Sequence, residues 1–322
     1  MDTEQSFNTD LAIEAVEVKE LLEATPRDEM SGVETTTSEE EGVTISRVSI
    51  KTPAAEKAMN KAMGNYVNIE AAGLRDKDTE LQDRVTEIVA RELKELAGFN
   101  DQMELLVVGL GNWNVTPDSI GPKVVEDLVI TRHLLQLVPD RLGPGFRSMA
   151  GMAPGVMGIT GMETAEIIKG VVEQLKPSMI LAIDALSARN LDRLNTTVQI
   201  ADNGISPGSG VGNKRMGINE QTMGVPVIAM GVPTVVDAVT IVSDVLSKFD
   251  GSSNNQQNQN TDYNKFRLIN ETLSPYGGAS NKLMVTPKEV DSFADDISEV
   301  LAGSINAAVH PRVSEEGSHK YL

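Results

Sequence analysis

The sequence has no cysteine, three histidines and few aromatic residues: six Phe, four Tyr and one Trp, 3% of the chain. Without cysteine there can be no disulfides, thiol nucleophiles or thiolate metal ligands. His133, His310 and His319 are too scattered to build a histidine-rich zinc cage. No apolar run approaches the ~18 residues that cross a bilayer, and the longest, Leu105–Leu110 and Val225–Val232, are strand-length. The acidic N-terminus lacks the basic-then-apolar order of a secretory signal, so a cytoplasmic or similarly reducing compartment is expected. Basic residues are also short: 28 Lys and Arg stand against 47 Asp and Glu, a formal charge of −19. Such a chain repels phosphate backbones, and no direct nucleic-acid partner is expected.

What is present is ample for a core. The 322 residues are 40% apolar and 23% charged, the balance of a soluble globular protein of one large domain or two ordinary ones. With aromatics scarce, aliphatic residues and 14 Met must fill that core. The acidity is uneven: residues 1–50 hold 13 acids and 3 bases, a net of −10. Composition alone reads this segment as a solvated acidic tail.

Patterning adds detail. The alternation around Gly42–Val48 predicts strands within residues 31–50. Leu81, Val85, Ile88, Val89 and Leu93 have helical spacing and predict a helix over about 79–96. Leu105–Gly111, Ser178–Asp184, Val198–Asp202 and Pro226–Val232 read as buried strands. Helices are expected from Pro117 through about Val138, over 163–175, from Pro233 through Phe249, and over about 287–308. Gly151–Gly161 reads as a glycine-rich loop. The strand–helix–strand order predicts an α/β fold, a mostly parallel central sheet with helices on both faces and additional N-terminal strands. Residues 251–262, rich in Asn and Gln, read as a flexible polar insertion.

Three short patterns compete for function. Gly109-Leu110-Gly111 opens like a dinucleotide fingerprint, but position 114 is Asn and Trp113 would crowd a pyrophosphate. Gly204-Ile205-Ser206-Pro207-Gly208 matches G-x-S-x-G, yet Pro207 and the following glycines leave no helix to start there. The downstream histidines, His310 and His319, fall near the C-terminus, where a mobile tail is expected. The segment reads instead as a glycine loop at the mouth of a site. The third pattern is a pair of acids. Asp118 follows the Leu105–Gly111 strand, and Asp184 follows five apolar residues. Asp118 alone also suits a helix cap, but a carboxylate closing a buried strand is less easily set aside, because an unpaired buried charge is costly. At one sheet edge the two can share a proton, one activating water and the other protonating the substrate. Asp237, near the start of the expected Pro233–Phe249 helix, is either a third acid or a helix-terminal charge.

Longer stretches carry a resemblance. These are Phe7–Ala15, Val107–Pro122, Ala153–Thr164, Ile183–Leu186, Gly208–Lys214 and Gly231–Ala238. Together the chain resembles the germination protease (spore protease) family, atypical aspartic peptidases, over nearly its whole length. The resemblance implies an endopeptidase that initiates degradation of small acid-soluble spore proteins during germination. It also implies a location in the forespore or spore core, a homotetramer, a fold similar to hydrogenase maturation proteases, and a self-processing zymogen. The family's two essential acids fall on Asp118 and Asp184, and no metal or other cofactor is implied by this sequence. The family cleaves after an acid in a setting like Thr-Glu, then Ile or Phe, then Ala-Ser-Glu. Thr9-Asp10-Leu11-Ala12-Ile13-Glu14 follows that pattern, so cleavage is expected between Asp10 and Leu11. Residues 1–10 would then be a propeptide and 11–322 a single α/β peptidase domain. Acids on both sides of the scissile bond ask for basic partners, for which Arg189, Arg193, Lys214 and Arg215 are candidates. Two rivals remain open: a metal-dependent peptidase with the same carboxylates as ligands, and a non-catalytic acidic binding protein.

Overall fold

The computed structural model describes residues 9–23, 30–142, 144–208, 215–251, 268–269, 271–277 and 282–316. Among these, the strands are β1 (Val33–Glu40), β2 (Val43–Ile50), β3 (Gly64–Glu70), β4 (Glu104–Gly109) and β5 (Ser148–Met152). They continue with β6 (Met179–Ala188), β7 (Thr197–Ala201), β8 (Val227–Asp237) and the two-residue β9 (Met284–Val285). One sheet holds them in the order β1-β2-β3-β7-β8-β6-β4-β5, with β9 beside β8. The half formed by β8, β6, β4 and β5 is parallel. The N-terminal strands extend it as an antiparallel run, β7 lying antiparallel to both β3 and β8.

Helices cover both faces. Those used below are α1 (Ala12–Glu23), α2 (Pro53–Met59), α3 (Thr79–Ala97) and α4 (Ile120–Glu126). In α3, Asp78 caps the first turn by accepting from the Leu81 N–H, and Gly98 ends the helix in a left-handed conformation. Its apolar stripe packs with α4 and the Val290–Val309 helix on Val107, Leu181, Ile183, Ile200 and Met230. On the opposite face the Thr164–Leu175 helix covers Leu106, Val108, Ile180 and Ala182. Residues of α1 and α2 cover Val48, Tyr66, Ala201 and Ala229 on that face. β4, β6 and β8 are buried along nearly their whole length, so they read as apolar runs rather than as an alternation.

Several boundaries differ from expectation, each for a tertiary reason. β6 does not stop at Asp184 but runs on to Ala188, and β8 runs through Pro233 to Asp237 before a helix begins at Ala238. The two strands stay paired beyond a shift in register: Leu186 faces Pro233 and Ser187 faces Val235, leaving Thr234 bulged. A proline without an N–H fits such a bulge and need not open a helix. The expected Pro117–Val138 helix is broken into a turn at Thr116–Asp118, α4 and a helix at Arg132–Leu137. β5 takes the first residues of the expected Gly151–Gly161 loop. Within the acidic N-terminal segment Leu11, Ala12, Ile13 and Val16 are buried, so these residues are not a solvated tail. Most of the insertion expected at 251–262 lies outside the described residues.

Candidate active site

The site begins where β4 ends. Gly109 pairs with Ile183 of β6, and the next residue, Leu110, donates its N–H to the Ile183 carbonyl at 2.7 Å. The chain then leaves the sheet, so Asp184 is the first residue of β6 with no β4 neighbour. The loop that follows is wound tightly back on itself. Asn112 N–H donates to the Asp118 carbonyl at 2.8 Å, and Asp118 N–H to the Val115 carbonyl at 2.7 Å. Gly111 sits at φ +110°, where a Cβ would lie 2.0 Å from the Asp118 carbonyl oxygen and 3.1 Å from its Oδ1. Gly121, at the start of α4, approaches so closely that a Cβ would lie 2.3 Å from the Leu110 carbonyl oxygen. Thr234 in the β8 bulge donates its hydroxyl to the Pro117 carbonyl at 2.6 Å. The glycines of Gly109-Leu110-Gly111 thus serve close packing around Asp118, which accounts for them without a nucleotide.

The two acids share one electrostatic environment. Asp184 is 7% exposed, and its Oδ1 accepts from the Ala185 N–H at 2.9 Å. Burial holds it well above the usual carboxylate range, and the charges of Asp118 and Asp10 push the same way against the Ala185 N–H and Arg215. Burial lifts the half-buried Asp118 to about 6, opposed by the Arg215 charge and the Asn112 N–H. Two carboxyls raised to different degrees are suited to the roles of acid and base. Among the described residues, no group of three or more His, Asp and Glu is gathered as a metal ligand set.

Beside these acids lies the chain's own N-terminal segment. Asp10 N–H donates to the Ser187 carbonyl at 2.8 Å, and Asp10 Oδ2 accepts from the Ser187 N–H at 2.9 Å. Gln199 of β7 donates from Nε2 to the Asp10 carbonyl at 3.0 Å and accepts at Oε1 from the Ala12 N–H at 2.7 Å. Lys61 Nζ donates to the Thr9 carbonyl at 2.7 Å; burial lowers its pKa, against the raising effect of Asp10 and Glu14. Leu11 is fully buried among apolar residues. Glu14 accepts from the backbone N–H groups of Arg189 (2.7 Å) and Asn190 (2.9 Å) and from the Thr9 hydroxyl.

The remaining expected residues separate. Arg193 is buried and paired with Glu17 at 2.6 Å, Glu70 at 3.0 Å and Glu14 at 3.4 Å, fastening α1 to the sheet. Arg189 meets the segment through its backbone N–H, which Glu14 accepts, whereas Arg215 acts through its charge on Asp118 and Asp184. Lys214 lies outside the described residues. Asp237 ends β8 and accepts from the Val239 N–H at 2.9 Å, so it caps the following helix from outside. His310 is not on a mobile tail: it is fully buried, Nδ1 accepting from the Arg147 N–H at 3.3 Å and Nε2 bonded to the Val129 carbonyl at 3.0 Å. Lys61, Ser187 and Gln199 escaped the sequence reading. Gln199 left a trace, a long polar side chain inside the apolar run Val198–Ala201.

Comparisons agree along the whole chain. The family model described as "Germination protease" matches residues 12–259 and 255–322. The germination protease of Clostridium tetani (strain Massachusetts / E88) is 46% identical over 327 residues, covering 98% of this chain and 99% of that protein. That of Caldanaerobacter subterraneus subsp. tengcongensis is 45% identical over 326 residues, covering 98% of each. That of Bacillus cereus (strain 03BB102) is 42% identical over 360 residues, covering 98% and 97%. Among solved structures, the [NiFe] hydrogenase maturation protease HycI from Thermococcus kodakarensis KOD1 covers 65% of this chain and 97% of its own. That overlap has 14% identity and a TM-score of 0.32. On the family match and the near full-length identity, the chain belongs to the germination protease family and is a peptidase.

Proposed function

We propose that this peptidase is an endopeptidase of the atypical aspartic type, made as a zymogen that cuts itself between Asp10 and Leu11. In this reading Asp118, ionised near neutral pH, takes a proton from water, and Asp184, held protonated, delivers one to the leaving amine. The observation that carries it is the segment Thr9–Glu14: its acid lies close enough to Asp184 to raise its pKa, and its backbone is held across β6 and β7. Small acid-soluble spore proteins are the proposed substrates, their acid-flanked sites taking the place of this segment once it is displaced. Glu14 marks the place of the acid after the scissile bond, facing Arg193 and the Arg189 and Asn190 N–H groups. Arg215, whose charge acts on both catalytic acids, is proposed to face the acid before the bond. Action in the spore core and assembly as a homotetramer are carried over from the family resemblance.

Intact-mass measurement and N-terminal sequencing after incubation of the full chain test the reading. The expected product begins at Leu11. D118N and D184N are expected to fold, stay full-length and cut no substrate. A new N-terminus elsewhere removes the site, and activity in either variant removes the pair.

A further inference from the structure

We propose that Gln199 is a further catalytic residue, its side-chain N–H stabilising the oxygen of the carbonyl that is cleaved. The proposal rests on the reading above, in which the Asp10–Leu11 bond occupies the site as a substrate's would. The oxygen that receives the Gln199 Nε2 hydrogen bond, at 3.0 Å, is that of Asp10, the carbonyl of the proposed scissile bond. The amide orientation is fixed from its other end. The Ala12 N–H can only donate, so it must face Oε1, at 2.7 Å, which turns Nε2 to the carbonyl.

The fold aligns this donor with the acids. Asp184 of β6 is paired with Gly231 of β8, and Gly231 with Gln199 of β7. Residues paired across a sheet project from the same face, so Asp184 and Gln199 flank a residue with no side chain of its own. At ~4.8 Å between strands their backbones stand about 10 Å apart, and the Leu186 side chain lies over Gly231 between them, within 3 Å of where a Cβ would be. Gln199 is buried, so its N–H acts in a medium of low polarity, where a donor to a developing negative charge is most effective. Further bonds hold the peptide in register: Asp10 N–H to Ser187, Thr9 carbonyl to Lys61 and Ala12 N–H to Gln199 itself.

Water oxygen bonds to the Asp10 carbonyl carbon while one carboxylate takes a water proton. The C=O π pair moves onto oxygen, where the Gln199 N–H receives it. On collapse the C–N bond breaks, and the Leu11 nitrogen leaves with the proton from the other carboxyl.

The test measures two rates in full-length wild type, Q199M and Q199N. One is self-cleavage at Asp10–Leu11; the other is turnover of a synthetic peptide of residues 6–15. Methionine keeps the length without a donor, and asparagine keeps the amide one methylene short of the carbonyl. Each variant is expected to lose roughly 100-fold or more in kcat, with a smaller change in KM. Thermal melts establish that at least one is folded. In a folded variant, a kcat loss below tenfold, or a loss carried wholly by KM, overturns the proposal and leaves Gln199 an anchor for the segment. The underlying reading fails separately, and takes this proposal with it, if wild type cuts elsewhere or D118N and D184N stay active.

Discussion

Asp118 should cost the protein stability. Burial lifts its carboxyl from 3.8 to about 6. At 1.36 kcal/mol per pKa unit the shift is about 3 kcal/mol, and residual solvent access at a half-buried group reduces the working figure to about 2 kcal/mol. The sign follows from proton binding. The folded state holds the Asp118 proton more tightly than the unfolded chain, so stability falls as pH rises from 3.8 to about 6. The penalty is complete above that window and absent below it. Asp118→Asn removes the ionisable group while keeping an oxygen for the Asn112 N–H. It also removes one of the charges that raise Asp184, which adds in the same direction. D118N should therefore be more stable than wild type by about 2 kcal/mol at pH 7, or about 3 °C in Tm for a chain of this size. Denaturant titrations of both proteins at pH 7 and pH 4 measure the difference. The gain should appear at pH 7, with hydrolysis lost, and shrink towards zero at pH 4. Equal stabilities at pH 7, or the same gain at both pH values, would refute the assignment of Asp118 as a buried, strained carboxyl.

Other perturbations reach other parts of the molecule. His310 is lowered from 6.5 to about 4 by burial, so the unfolded chain takes up its proton first and about 3 kcal/mol of stability should be lost as pH falls from 6.5 to 4. His310→Gln should flatten that part of the stability–pH curve; an unchanged slope would remove His310 as its source. Arg193→Met leaves the buried Glu14 and its partners without their cation and should cost about 3–5 kcal/mol, read by denaturant titration alongside protease sensitivity of α1. A loss under ~1 kcal/mol would mean the cluster is not what fastens α1. Exhaustive chelation should leave turnover intact; activity lost on chelation and restored by a divalent ion would turn the same carboxylates into metal ligands.

Much of the fold was legible because burial writes itself into local runs. The apolar stretches of β4 and β6, the alternation of β1 and β2 and the stripe of α3 each declare their element within a few residues. β3, Gly-Asn-Tyr-Val-Asn-Ile-Glu, was not legible: its Asn residues hide a strand fixed by partners at β2 and β7. Pro233 read as a helix start because its bulge exists only through pairing with Leu186. Asp118 and Asp184 could be found from their position after apolar strands. Lys61 and Gln199 act on backbone atoms far away in sequence, at separations of 52 and 189 residues, and no local pattern records such contacts.

The acidic run Glu39-Glu40-Glu41 belongs to the segment that composition alone reads as a solvated tail. In the structure Glu40 pairs with Arg91 of α3 at 2.8 Å, and the run closes the outermost strand, β1, which is exposed from Thr36 to Glu40. An outer strand with unpaired N–H and C=O groups is a template for the same strand of another copy. If two copies of β1 met antiparallel about their midpoints, Glu34 of one would face Glu39 or Glu40 of the other, and like charges so placed repel. The carboxylates therefore act as a guard on an open border, keeping the sheet from growing into its neighbours however crowded the compartment.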